Sequence, residues 1–123
     1  MDLHRSGEDY LETIYKLQTE KGTVRSVDVG NELGYSKPSV SVAMKKLRES
    51  GYVHMDESGH LLLTPKGEAV AKRIYERHQV LRDMLMALGV EPAVAAEEAC
   101  AMEHVISDDT FEKIKAHFVK KSC

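Results

Sequence analysis

Residues 36–64 read SKPSVSVAMKKLRESGYVHMDESGHLLLT, and this stretch decides the fold. Ser36-Lys37-Pro38-Ser39 opens a helix. Ser36 is placed to cap it, and Pro38 suits a first turn because the N–H it lacks has no intrahelical partner there. Val40, Ala43, Met44 and Leu47 then recur at steps of three and four and define an inward face, which Gly51 ends. Residues 52–55 and 61–64 are strand-like runs flanking Asp56-Glu57-Ser58-Gly59-His60, a polar cluster with the glycine of a hairpin turn. A hairpin directly after an amphipathic helix is the wing of a winged helix.

The outward face of the same helix carries Lys37, Ser39, Ser41, Lys45, Lys46 and Arg48, and no acid stands between Ser36 and Arg48. Small hydroxyls near the helix start, Ser36 included, are able to reach base edges. The cations further along are able to neutralise phosphates. Alone, this pattern is equally that of a solvated helix face. The adjoining wing tips the balance toward DNA, with His60 expected near the neighbouring minor groove.

Upstream, residues 26–33 form a short helix anchored by Val27, Val29 and Leu33 and ended by Gly34. The tight Gly34-Tyr35-Ser36 connection makes a helix-turn-helix. Residues 23–25 are extended. Residues 6–21 are a helix with Leu11, Ile14, Tyr15 and Leu17 on its buried stripe, Ser6 as the expected N-cap and Lys21-Gly22 as the stop. Asp9 and Glu12 share one face of that helix. By themselves they are first-turn acids that complement the helix dipole.

Downstream, residues 65–88 form one long helix whose stripe is Val70, Ile74, His78, Leu81, Leu85 and Leu88. His78 lies on the apolar line itself, where an isolated histidine is most simply a satisfied core residue. Gly89 ends this helix and Glu91-Pro92 starts the next, which is expected to carry Cys100, Glu103 and His104. That i, i+3, i+4 spacing puts three donors on one helical face. A thiolate, a carboxylate and an imidazole together suit a divalent transition metal better than Ca²⁺ or Mg²⁺. Unsupported, the trio is also a surface Glu–His pair beside a small buried cysteine. Ser107-Asp108-Asp109 is a turn, Asp109 and Glu112 have capping-box spacing, and Phe111, Ile114 and Phe118 stripe the last helix. Residues 120–123 read as a frayed end, with Cys123 an incidental thiol.

The 123 residues suffice for one domain or two small ones sharing a core. No apolar run approaches a membrane span, and the first residues lack a signal-peptide layout. The net charge of −3 offers no bulk attraction for nucleic acid, so any basic surface has to be local. Two cysteines make no disulfide framework, which favours a cytoplasmic protein.

The Leu63-Thr64 and Gly67 pattern after the wing (Leu-Thr-x-x-Gly) resembles winged-helix bacterial regulators generally. Taken together, Asp9-Tyr10-Leu11-Glu12 with Ile14-Tyr15, Arg77-His78, and Cys100 with Glu103-His104 resemble the diphtheria-toxin-repressor/manganese-regulator (DtxR/MntR) family. The resemblance runs in order along almost the whole chain. It implies a metal-activated bacterial transcriptional repressor. The implied fold is mostly α: an N-terminal winged helix-turn-helix DNA-binding domain, residues 1–64, then an α-helical metal-binding and dimerisation domain, residues 65–123, with helix 65–88 linking them. The implied ligands are Asp9, Glu12, His78, Cys100, Glu103 and His104, which reverses the blander readings above. Asp9 and Glu12 match the manganese branch of the family, whereas Cys100 matches the iron branch. The iron branch's ancillary site is not expected, because its acid and second histidine fall at Arg82 and Ala96. The resemblance further implies a short form without the SH3-like domain. It also implies Fe²⁺ or Mn²⁺ as cofactor (Co²⁺, Ni²⁺ or Zn²⁺ substituting in vitro), and operator DNA and a second copy of the chain as partners, with no membrane and no catalysis. The principal alternative is a winged-helix regulator of the multiple-antibiotic-resistance type without a metal switch. A hydrolase lacks a nucleophile motif here, and a structural zinc site lacks paired cysteine spacings.

Overall fold

The computed structural model describes residues 5–120. Of the tail expected to fray, Lys120 belongs to the last helix, and residues 121–123, with Cys123, lie outside the described residues, as does the start of the chain before Arg5. The elements are α1 (Arg5–Lys21), α2 (Ser26–Leu33), α3 (Lys37–Glu49), β1 (Val53–Met55), β2 (Leu61–Leu63), α4 (Pro65–Ala87), α5 (Pro92–Met102) and α6 (Asp108–Lys120). The chain is therefore mostly helical, with one hairpin. It forms two compact units that divide within α4, between Arg73 and Ile74.

The first unit is a winged helix-turn-helix. Its core gathers Tyr10, Leu11, Ile14 and Leu17 of α1 with Val29, Val40, Met44, Leu47, Val53 and Leu61, all buried. Each fully withdrawn Leu or Ile side chain contributes about 1.5–3 kcal/mol. Ser6 lies inside α1 rather than capping it, because the helix already starts at Arg5. Val27 does not anchor α2: it is 47% exposed, and Val29 and the half-buried Leu33 do that work. Asp28 holds the start of α2 instead, its carboxylate accepting the Arg25 N–H at 2.9 Å. That hydrogen bond, with Lys21 adding to it, holds the Asp28 carboxyl below its ordinary range.

The α2–α3 turn follows the sequence closely. Gly34 adopts φ +74°, a left-handed conformation costly for other residues, and its N–H bonds back to the Gly30 carbonyl at 2.8 Å. Ser36 then caps α3 by accepting the Ser39 N–H at 3.3 Å. In the wing, β1 and β2 pair antiparallel with Val53 opposite Leu63 and Met55 opposite Leu61. The Leu61 N–H donates to the Val24 carbonyl at 2.7 Å, which ties the extended segment before α2 to the wing.

The Leu-Thr-x-x-Gly pattern has a packing cause. The Thr64 hydroxyl donates to the Gly51 carbonyl at 2.6 Å and accepts the Gly67 N–H at 3.1 Å, so it caps α4 and fastens it to the end of α3. A Cβ on Gly67 would stand 2.0 Å from the Tyr52 carbonyl oxygen. Only glycine allows that approach of backbone to backbone.

The second unit comprises the rest of α4 with α5 and α6. Its buried side chains include Ile74, Leu81, Ala95, Ala99 and Phe111. The deepest line along α4 is Gly67, Ala71, Ile74, Arg77 and Leu81, whereas Val70, His78 and Leu85 are half-buried. Leu88 lies beyond the helix and is 69% exposed, contrary to its place on the predicted stripe. α6 is capped by Ser107, whose hydroxyl accepts the Thr110 N–H at 3.1 Å. Asp109, expected to begin a capping box, lies within the helix and pairs with Lys113 at 2.9 Å.

Candidate metal centre and nucleic-acid face

α5 ends at Met102, so Glu103 and His104 stand in the turn after it and not on the helix as the spacing predicts. Glu103 is the C-cap, with φ −61° and ψ −22°, and its N–H still bonds to the Ala99 carbonyl at 3.0 Å. The near-helical backbone at this one residue keeps its side chain close to that of Cys100, which sits in the last turn. One donor atom each from Cys100, Glu103 and His104 lie within 4.8 Å of one another.

His78 reaches the same group from α4. Its Nδ1 is 3.2 Å from Glu103 Oε2, and His104 Nε2 is 3.4 Å from Glu103 Oε1. The Glu103 carboxylate is fully buried and the His104 side chain is 3% exposed. Withdrawing a carboxylate from water is costly unless positive charge or coordination compensates it. Cys100, Glu103 and His104 form one donor group and His78 adjoins it through Glu103, and a thiol, a carboxylate and imidazoles so placed suit a divalent transition metal by donor type. The second unit thus brings His78, Cys100, Glu103 and His104 together.

Asp9 and Glu12 belong to the first unit. They sit one turn apart on α1 and are both half-buried, consistent with a shared face.

The proposed DNA-reading side chains also fall in the first unit. Ser36, Lys37, Ser39, Ser41, Lys45, Lys46 and Arg48 are all exposed along α3. Val42, in their midst, is 56% exposed, an apolar position that the sequence reading passed over. His60 is half-buried, its ring nitrogen 3.2 Å from the Asp56 carboxylate, which also accepts the His60 N–H at 2.8 Å. Those bonds hold the Asp56 carboxyl below its ordinary range, the His60 N–H being the largest cause. A cation missed in sequence reaches the wing from the start of α2: Arg25 donates to the Ser58 carbonyl at 2.6 Å.

Residues 2–61 match the N-terminal DNA-binding domain of iron-dependent repressors. Residues 64–120 match the metal-binding and dimerisation domain of the same proteins. The chain belongs to the iron-dependent repressor family, the DtxR/MntR family. It is 38% identical over 109 residues to the transcriptional regulator MntR of Salmonella typhimurium, covering 89% of this chain and 69% of that one. Its fold is similar to that of the manganese regulator SloR, with TM-score 0.80 and 30% identity over 95% of this chain and 54% of that one. It is also similar to a manganese-dependent transcriptional repressor solved with manganese, with TM-score 0.82, 29% identity, and 90% and 51% covered. The chain spans about half the length of these solved relatives. Membership places it among metal-responsive transcriptional repressors, and a divalent metal is the cofactor that goes with the family. The multiple-antibiotic-resistance-type alternative gains no support from either half of the chain. No described helix is long and apolar enough to cross a membrane.

Proposed function

We propose that this chain is a metal-activated repressor that binds double-stranded operator DNA as a homodimer in the cytoplasm, controls metal-homeostasis genes and catalyses no reaction. The observation that carries the reading is the buried Glu103 carboxylate with His78 at 3.2 Å, His104 at 3.4 Å and Cys100 beside it. It occurs in a chain whose other unit is a winged helix with an exposed basic face.

We assign Asp9 and Glu12 as the ligands from the DNA-binding domain, on the family resemblance and their common face of α1. With residues 1–64 as that domain and residues 65–123 as the dimerisation domain, the six donors then come from both. Fe²⁺ or Mn²⁺, when bound, supplies positive charge among these donors, as a single ion or as a close pair bridged by Cys100 or Glu103, and Co²⁺, Ni²⁺ or Zn²⁺ substitutes in vitro. Donors anchored on two domains restrict how the domains move, which selects one arrangement of the paired recognition helices and lowers the ordering cost of binding DNA. A dimer reading two half-sites needs those helices about 34–36 Å apart, or a multiple of it.

On DNA, Ser36, Ser39 and Ser41 face base edges, and Lys37, Lys45, Lys46 and Arg48 face phosphates. Val42 offers an apolar surface suited to a thymine methyl group. The wing around His60 lies by the adjacent minor groove. The test is operator binding titrated in parallel with Mn²⁺, anaerobic Fe²⁺, Co²⁺ and Zn²⁺. At least one metal is expected to tighten binding at fixed salt. Identical affinity with every metal and with chelator alone would refute the switch.

A further inference from the structure

Arg77 is the only arginine buried among the described residues, at 5% exposed, and the metal ligand set does not use it. Its guanidinium forks into the turn between α5 and α6. Nη1 donates to the Glu103 carbonyl at 3.1 Å and to the Ile106 carbonyl at 3.0 Å, and Nη2 bonds to the Asp108 carboxylate at the start of α6. Its Cζ lies 5.2 Å from the centre of the Phe111 ring. Arg77 is also the residue before His78 on α4.

We infer that Arg77 is a positioning residue for the metal centre: it fixes the 103–108 turn so that Glu103 and His104 face His78. This rests on the metal-site reading above. No glycine or proline shapes the turn, and its local bonds are those of the Val105 and Ile106 N–H groups to the Met102 carbonyl, at 3.1 and 3.3 Å, with Ser107 capping α6 at its far end. The guanidinium satisfies the carbonyls of Glu103, the C-cap of α5, and of Ile106 in the turn. One planar fork thereby links the helix bearing His78 to the backbone of Glu103 and to the first residue of α6. Lysine carries the same charge but lacks a fork able to hold two carbonyls and a carboxylate together. Groups that orient metal ligands typically govern affinity by about 10–100-fold.

The test compares wild type with Arg77→Lys, Arg77→Met and Asp108→Ala, together with Ala95→Gly, inside α5, as a destabilised control in the same unit. Each is titrated with Mn²⁺ by calorimetry and with Co²⁺ by its visible absorption spectrum, alongside helical content and melting temperature. Both Arg77 variants are expected to lose about tenfold or more in metal affinity and to show an altered Co²⁺ spectrum. Asp108→Ala, at an exposed site, is expected to fold and to show a smaller loss in the same direction. Ala95→Gly should lower the melting temperature and leave the Co²⁺ spectrum unchanged. If wild type binds metal and all three Arg77 and Asp108 variants give wild-type affinity and spectrum, the inference fails and the metal site stands. If Arg77→Met does not fold, Arg77→Lys and Asp108→Ala decide by the same criterion. Wild type binding neither metal overturns both.

Discussion

His78 Nδ1 lies 3.2 Å from Oε2 of Glu103, a contact between α4 and the turn after α5 that puts an imidazole against a fully buried carboxylate. A buried carboxylate of this kind is retained at a cost to stability, since well-packed neutral groups often do as well or better. Glu103→Gln is expected to leave the metal-free protein as stable as wild type or more so, measured by urea unfolding. The same variant is expected to lose the metal-induced stabilisation, which for wild type is about 2.7 kcal/mol at a hundredfold excess over Kd. A full metal-dependent shift in Glu103→Gln would remove Glu103 from the site.

Cys100 is the softest donor of the cluster. Cys100→Glu substitutes a hard oxygen and is expected to raise Mn²⁺ affinity relative to Zn²⁺ and Co²⁺. The ratio of affinities, taken from competition titrations, is the readout. An unchanged ratio would mean that Sγ does not touch the ion.

Lys45 and Lys46 are exposed on a helix face without acids. Replacing either with Ala is expected to weaken binding to all DNA sequences alike. It should also reduce the slope of log affinity against log salt by about one for each phosphate no longer neutralised. Val42→Ala should behave differently, changing preference among operator variants at thymine positions while leaving the salt slope alone. Equal slopes for wild type and the lysine variants would exclude this face from the DNA interface.

Gly67 has the Tyr52 carbonyl where a Cβ would sit, 2.0 Å away. Gly67→Ala is expected to destabilise the first unit by about 1–3 kcal/mol or more through forced backbone displacement. Denaturant unfolding measures it. A wild-type midpoint would show that α4 and the Tyr52 backbone separate freely.

The capping and turn chemistry from Gly34 to the wing was legible because it is local, whereas Ser6 was misplaced as a cap and the Asp28 cap of α2 was missed. Ser36, Pro38, Gly34 and the polar cluster before His60 each act on backbone a few residues away. The burial of Leu11, Ile14, Met44 and Leu47 followed from spacing alone. Burial of Arg77 was not legible, since its partners stand 26 to 31 residues further along the chain and its charge marks it as a surface residue. The end of α5 at Met102 was hidden for the same reason: no breaker residue announces it. Val27 and Leu88 show the limit of hydrophobic periodicity, which gives a face but not what covers it. The donor set was visible as residue types at helical spacing, and only the family resemblance joined Asp9, Glu12 and His78 to Cys100, Glu103 and His104.

Under the proposed function metal and operator act on one equilibrium, and coupling between binding sites is reciprocal. The most direct measurement is calorimetric titration of Mn²⁺ into the protein free and saturated with operator, at one salt concentration. The predicted result is tighter metal binding on DNA, by the same factor by which metal tightens operator binding. Equal metal affinity on and off the operator would contradict the account.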